Sequence, residues 1–278
     1  IPAWESSTAF GHANVYLRSN DTDAGPDRWN PSRNPSEETW PSDAIVVPHH
    51  TNAGDDPFAR ENYEQALSDG IYWTVYDWSI PNPRVRLAEI VQGRGDFEAD
   101  TVDAVWEIHQ GNRGASIQDA FRMGWRLGFV AGSDNHQAYP TQMSGRYFGL
   151  TCFLAPELTR NSIWQSMDQR RTYATSGVQI VCNFSINGLP LGSEGKIKSG
   201  DPVYFSASLH GTAPIEQVDI ISNGEVIWQA KPDSWDVTWI DEVLSDQATT
   251  SAYYYVRLRQ NDGNRAWLSP VWLDLVSE

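Results

Sequence analysis

A chain of 278 residues with 36 acidic and 20 basic side chains carries a formal charge of −16, which argues against nucleic acid as a partner because such binders present a basic face. At about 150 residues per domain the length predicts roughly two domains with sizeable cores, and no apolar run reaches the ~18 residues a membrane-crossing helix needs. Two cysteines, Cys152 and Cys182, cannot build a disulfide framework, and their apolar, strand-like settings predict buried free thiols.

The opening Ile1-Pro2-Ala3-Trp4-Glu5 has no initiator Met and none of the regions of a signal peptide, so a processed chain or a piece of a longer one is expected. Asn14–Leu17 is a brief apolar run, followed by an aperiodic loop over 20–42 rich in Pro, Asp and Asn. Ala44–Val47 reads as a strand that stops at Pro48-His49-His50. Leu87–Val91 reads as another, running into Gln92-Gly93-Arg94-Gly95-Asp96-Phe97-Glu98. A helical stretch over Ile117–Leu127, with Ala120, Met123, Trp125 and Leu127 lining a buried face, leads into the strand Phe129–Ala131. A further helix is expected over Pro156–Arg171, with Ile163, Trp164 and Met167 on one face. Continuous apolar runs followed by polar residues predict parallel strands buried on both faces, the grammar of an α/β domain over 1–177.

Beyond Thr175-Ser176-Gly177 the pattern changes. Val203, Phe205, Ala207 and Leu209 alternate with Tyr204, Ser206, Ser208 and His210, the period of a half-buried strand. Asn223-Gly224 is a strong hairpin signal, and Asp262-Gly263 turns Tyr253–Gln260 into Ala266–Trp272. Together these predict an antiparallel β-sandwich over 178–278. Trp228, Trp235 and Trp239, from a total of 13 Trp, read either as core packing or as a sugar-binding platform, with packing favoured.

Candidate chemistry gathers at predicted strand ends, where parallel α/β folds bind ligands. Asp134 and His136, two apart in Gly132-Ser133-Asp134-Asn135-His136, point to one side of an extended chain and can share a metal. In Pro48-His49-His50 adjacent residues face opposite ways, so one imidazole can enter a site while the other packs elsewhere. His12 precedes a strand, and His109 and His210 have no comparable setting. Arg94 either offers a bidentate fork to an anion or pairs with Glu98. There is no nucleophile elbow, no Walker loop, no dinucleotide fingerprint and no zinc-ribbon spacing. The surviving reading is a His/Asp/Glu site, whose oxygen and imidazole donors suit Zn, Mn or Fe.

Taken in order, Gly11-His12-Ala13-Asn14-Val15-Tyr16, Pro48-His49-His50, Glu89-Ile90, Gly132-Ser133-Asp134-Asn135-His136 and Arg170-Arg171-Thr172-Tyr173-Ala174-Thr175 resemble the PHP (polymerase and histidinol phosphatase) superfamily. The nearest likeness is to a bacterial branch with a C-terminal β domain, whose ending looks matched by Tyr253–Arg257 and Ala266–Pro270. The resemblance implies the C-terminal portion of a distorted (β/α)7 barrel followed by a β-sandwich. It implies two or three divalent metal ions held by Glu5, His12, His50, Asp134 and His136, with His49 a neighbour, and a phosphoesterase-like hydrolase using metal-activated water. Asp134, Glu89 and Arg94 would be its catalytic side chains, and its substrate a small anionic molecule. No His-x-His occurs and only four or five strands are countable before 177, so a second chain or an N-terminal fragment is expected to complete the barrel. The competing expectation is a non-catalytic binding or scaffold protein with a degenerate barrel. The likeness also implies a periplasmic or secreted location, while the charge and the lack of a long apolar run predict no nucleic-acid or membrane partner.

Overall fold

The computed structural model describes residues 1, 3–8, 11–18, 43–52, 75–100, 114–135 and 148–276. Three strands, β1 (Ala3–Thr8), β2 (Gly11–Leu17) and β3 (Ala44–His49), form an antiparallel sheet in that order. A second small sheet takes β4 (Leu87–Gln92), β5 (Gly95–Asp96) and β6 (Gly128–Ala131), with β4 in the centre, and α1 (Ile117–Arg122) precedes β6. Then come β7 (Leu150–Phe153), α2 (Arg160–Asp168) and β8 (Thr172–Thr175). The remaining strands are β9 (Val181–Ile186), β10 (Leu189–Pro190), β11 (Glu194–Lys198), β12 (Val203–Ser222), β13 (Glu225–Ala230), β14 (Ser234–Ser245), β15 (Ala252–Gln260), β16 (Arg265–Leu268) and β17 (Val271–Val276). With β7 and β8 they make one branched sheet of 11 strands.

The (β/α)7 barrel portion expected over 1–177 does not form. Strand makes up 54% of the described residues and helix 8%, in two short helices. A β/α barrel needs a crossover helix after each parallel strand. Here β1, β2 and β3 are antiparallel neighbours, and β7 and β8 pair antiparallel with each other and join the large sheet through β16. Among the described residues before 177, parallel pairing is confined to β4–β6 and a Val46–Val85 bridge.

The apolar runs that suggested a barrel are nevertheless buried on both faces. On β3, Ile45 and Val47 pack with Leu87, Val130 and the α2 residues Trp164 and Met167. The alternate residues Ala44 and Val46 join Ala88, Ile90, Ile117 and Phe121 in a core that takes in Tyr255 and Trp267 of the large sheet. The second cover is therefore a β-sheet, not a ring of helices.

Helix bounds are tighter than expected. Ser116 caps α1 with a reciprocal box to Asp119 and Thr159 caps α2, so both helices start at side-chain acceptors for their first free N–H groups. Met123, expected on the buried face, is exposed just beyond α1. The β-sandwich-like character of the C-terminal part holds: residues 203–209 alternate as expected, and the β12–β13 hairpin turns on Asn223 and Gly224, both at positive φ. Trp228 and Trp239 pack edge to face at 5.1 Å over Phe205, the packing reading, while Trp235 is exposed. Cys152 and Cys182 are free thiols, Cys182 buried and Cys152 partly so.

A buried polar network ties the segment after β5 to the large sheet. Glu98 accepts hydrogen bonds from Tyr255 Oη (2.6 Å), Trp267 Nε1 (2.9 Å) and Arg257 Nη1 (3.0 Å), and Arg257 also binds Asp219. Nearby Asp96 is buried, with Arg265 Nη1 at 3.9 Å. Burial, reinforced by the Glu98 charge, pushes the Asp96 carboxyl up to about 7. An unfolded Asp ionises near pH ~4. Between that value and about 7 the folded chain binds more protons than the unfolded one, so stability falls as pH rises through this window. Asp96→Asn, which does not ionise, is expected to stabilise the chain by about 1–3 kcal/mol at pH ~8, the Arg265 pair setting the lower end, and by almost nothing at pH ~4. Thermal denaturation at the two pH values checks this.

Candidate metal centre

The Val46–Val85 bridge and the β4–β6 pairing align three neighbouring strands in parallel, so their carboxyl ends emerge together. His49 and His50 end β3, Arg94 follows β4, and Gly132–Asp134 follow β6. Antiparallel β2 brings His12 into register with His49. The ligand-capable atoms of His12, His49 and His50 all lie within 4.8 Å of one another, and all three residues are buried. Glu5 Oε1 is 3.2 Å from His12 Nδ1 and 3.6 Å from His49 Nε2.

Burial pushes His49 down to about 4, although Glu5 pulls it the other way, and burial with the neighbouring His49 and His12 pushes His50 well below its ordinary value. Both imidazoles are therefore neutral at pH ~7, the form that ligates metal. Asp134 forms an ion pair with Arg94, and both act electrostatically on His49, so the carboxylate and guanidinium belong to the same site. Glu89, fully enclosed on β4, is pushed up to about 8 by burial and by Asp134. Its carboxylate lies against Gly132, where a Cβ would meet it and force the Glu89 side chain to shift.

His50 (φ 38°) and Asp134 (φ 53°) both adopt the left-handed backbone region that non-glycine residues avoid. At His50 this breaks the alternation of the strand. Both imidazoles of the pair then turn into one cluster, with ring centroids 4.4 Å apart. Strand alternation admits one of the two imidazoles, and the family resemblance makes His49 the neighbour; here both belong to the cluster. The β2–β3 register that sets His49 beside His12 was the signal that could have placed it.

Of the expected site residues, Glu5, His12 and His50 come together, with Asp134, Arg94 and Glu89 beside them. His136 and His109 lie outside the described residues, and His210 lies on β12. Arg94 pairs with Asp134, not with Glu98, whose partners are on the large sheet. A divalent metal fits this donor set. Among the described residues His49 Nε2 and Glu89 Oε2 are buried without a hydrogen-bond partner, a costly state that a cation or its ligands would relieve.

No known family model matches the chain. It is similar to proteins described as uncharacterised from Chlamydia muridarum (32% identical over 201 residues, 66% of this chain and 32% of the relative) and from Chlamydia trachomatis serovar D (30% identical over 201 residues, with the same coverage). The chain thus spans about a third of the length of these curated relatives. Among solved structures, fibronectin(III)-like modules of Clostridium thermocellum CbhA align with 34% of this chain and 99% of their own at 14% identity and a TM-score of 0.25, too distant to define the fold. No helix among the described residues is long and apolar enough to cross a membrane.

Proposed function

We propose that this chain carries the site of a metal-dependent hydrolase for a small anionic ester, most concretely a phosphoester. The observation that supports this reading is the buried His12–His49–His50 cluster with Glu5 at its rim and the Arg94–Asp134 pair beside it. His12, His49, His50 and Glu5 would hold the first divalent ion, of the Zn, Mn or Fe type, with Asp134 and His136 as donors for a second. Such an ion supplies Lewis acidity and an activated water near neutral pH.

The protein's own residues do the rest. Arg94 grips the substrate anion with its planar fork. Asp134 holds Arg94 in place and carries the charge that a cation would share. Glu89, which keeps its proton up to about 8, provides one at the wall of the site for a departing oxygen. The enclosing β3, β4 and β6 residues exclude bulk water and strengthen each of these interactions. Because the matched segment covers only 32% of the relative's length, the whole protein's activity, and a second chain or N-terminal fragment contributing further ligands, belong to the same proposal.

The test is turnover of aryl phosphate mono- and diesters with added Mn or Zn. Asp134→Ala is expected to lower metal-dependent turnover at least ~100-fold and to weaken metal binding, while far-UV circular dichroism of the large sheet stays unchanged. Retained metal and rate in that variant would refute the assignment.

A further inference from the structure

A second constellation lies on the outer face of the large sheet, on strands remote in sequence from the metal centre. Ser208 and His210, two apart on β12, share one face. Asp236 of β14 is the register partner of His210. Ser208 Oγ lies 2.9 Å from His210 Nε2, and His210 Nδ1 lies 2.6 Å from Asp236 Oδ1. An ionised carboxylate only accepts, so Nδ1 carries the proton and Nε2 is left to accept from the Ser208 hydroxyl. Hydroxyl, base and orienting carboxylate thus form one chain with the spacing of an activated nucleophile. Register shifts flank it, between Phe205 and Ala207 and between His210 and Ile215, irregularities that re-aim side chains on a sheet.

The neighbours fit the same chemistry. Asn183 of β9 and Thr238 of β14 are the register partners of Ser208 on its two sides, and both are exposed. Side chains directly opposite each other have Cβ atoms about 5 Å apart. An amide and a hydroxyl therefore stand within reach of an oxygen developing charge beside Ser208. Asn183 Oδ1 accepts from Phe184 N at 2.9 Å, which leaves its NH2 group as the donor for a ligand. Val181, opposite His210, is 59% exposed and offers an apolar seat for a small acyl group.

We propose that Ser208, His210 and Asp236 form a metal-independent hydrolytic site for small carboxylic esters. Ser208 Oγ bonds to the ester carbonyl carbon as His210 Nε2 takes the hydroxyl proton. The ester C–O bond then breaks, and the alcohol leaves with that proton. Water adds to the acyl-Ser208, giving a proton to His210; the acyl–Oγ bond breaks, the carboxylic acid leaves and Ser208 recovers its proton.

The experiment uses the full chain with excess EDTA and p-nitrophenyl acetate. A burst of p-nitrophenol is expected, with an acetyl group mapped to Ser208 by peptide mass spectrometry. Ser208→Ala is expected to abolish the adduct and lower turnover at least ~100-fold, and His210→Ala to match it. Turnover that persists in excess EDTA separates this activity from the metal centre. Since all three side chains lie on the surface, an unchanged melting temperature shows that the variants fold. Wild-type turnover in Ser208→Ala, or acetylation only elsewhere, would overturn the proposal and leave the three residues a surface hydrogen-bond chain.

Discussion

His50→Ala is expected to lower metal affinity more than ~100-fold, beyond the 10–100-fold typical of losing an outer partner, and to abolish phosphoester turnover with it. The expectation follows from enclosure. His12, His49 and His50 lie within one metal's reach, and burial holds His49 and His50 neutral, so neither needs to shed a proton at pH ~7 before ligating. Alanine keeps the left-handed backbone at this position, whereas glycine relieves it. His50→Gly is therefore expected to lose metal equally while melting no lower than His50→Ala. Isothermal titration with Zn and thermal denaturation of both variants separate the ligand role from the backbone role. Unchanged affinity in both would remove His50 from the site.

The largest loss of stability is expected from Glu98→Ala. Its carboxylate accepts from Tyr255, Trp267 and Arg257 at 2.6–3.0 Å, and all but Arg257 are buried. Truncation leaves a phenol and an indole N–H without their acceptor and takes one of two carboxylates from Arg257. Removing one partner of a buried charged pair costs roughly 3–5 kcal/mol. Relief of Asp96, whose carboxyl the Glu98 charge helps to push up, offsets part of that, so about 3 kcal/mol is expected in urea denaturation. Glu98→Gln keeps an acceptor and should lose less. A change below about 1 kcal/mol for Glu98→Ala would show that the contact between the small sheets and the large sheet does not depend on this network.

Local signals in the sequence were read well where one strand or one turn carried them. The alternation of 203–209, the Asn223-Gly224 turn and the apolar runs at Ala44–Val47 and Leu87–Val91 all sit where their periods put them. The architecture of the first part was misread because a continuous apolar run reports burial on both faces without saying what covers them. On β3 and β4 one cover is α2, but the other includes Tyr255 and Trp267, more than 150 residues away in the chain. No local pattern encodes that partner. Glu98 shows the same limit: sequence proximity suggested Arg94, while the fold gave it three donors from the large sheet.

The site was legible in its residue types and in their position at strand ends. His12, His50, Arg94 and Asp134 stand out by residue type and setting, whereas Glu5 and Glu89 enter only through the family resemblance. Alternation admits one imidazole of the pair and the resemblance favours His50; neither foresees the positive φ at His50 that brings both into the cluster. The Ser208–His210–Asp236 chain was missed for a related reason. Its third member comes from β14, and only the register of a long hairpin brings Asp236 opposite His210.

The most direct test is the metal content of the full chain after equilibration with Zn or Mn and removal of free ion. At least one tightly held cation per chain is expected. It should be lost in the His12→Ala/His50→Ala double variant while the large sheet keeps its circular dichroism. A fully folded wild-type chain that retains no metal, or a double variant that retains as much as wild type, would contradict the metal centre.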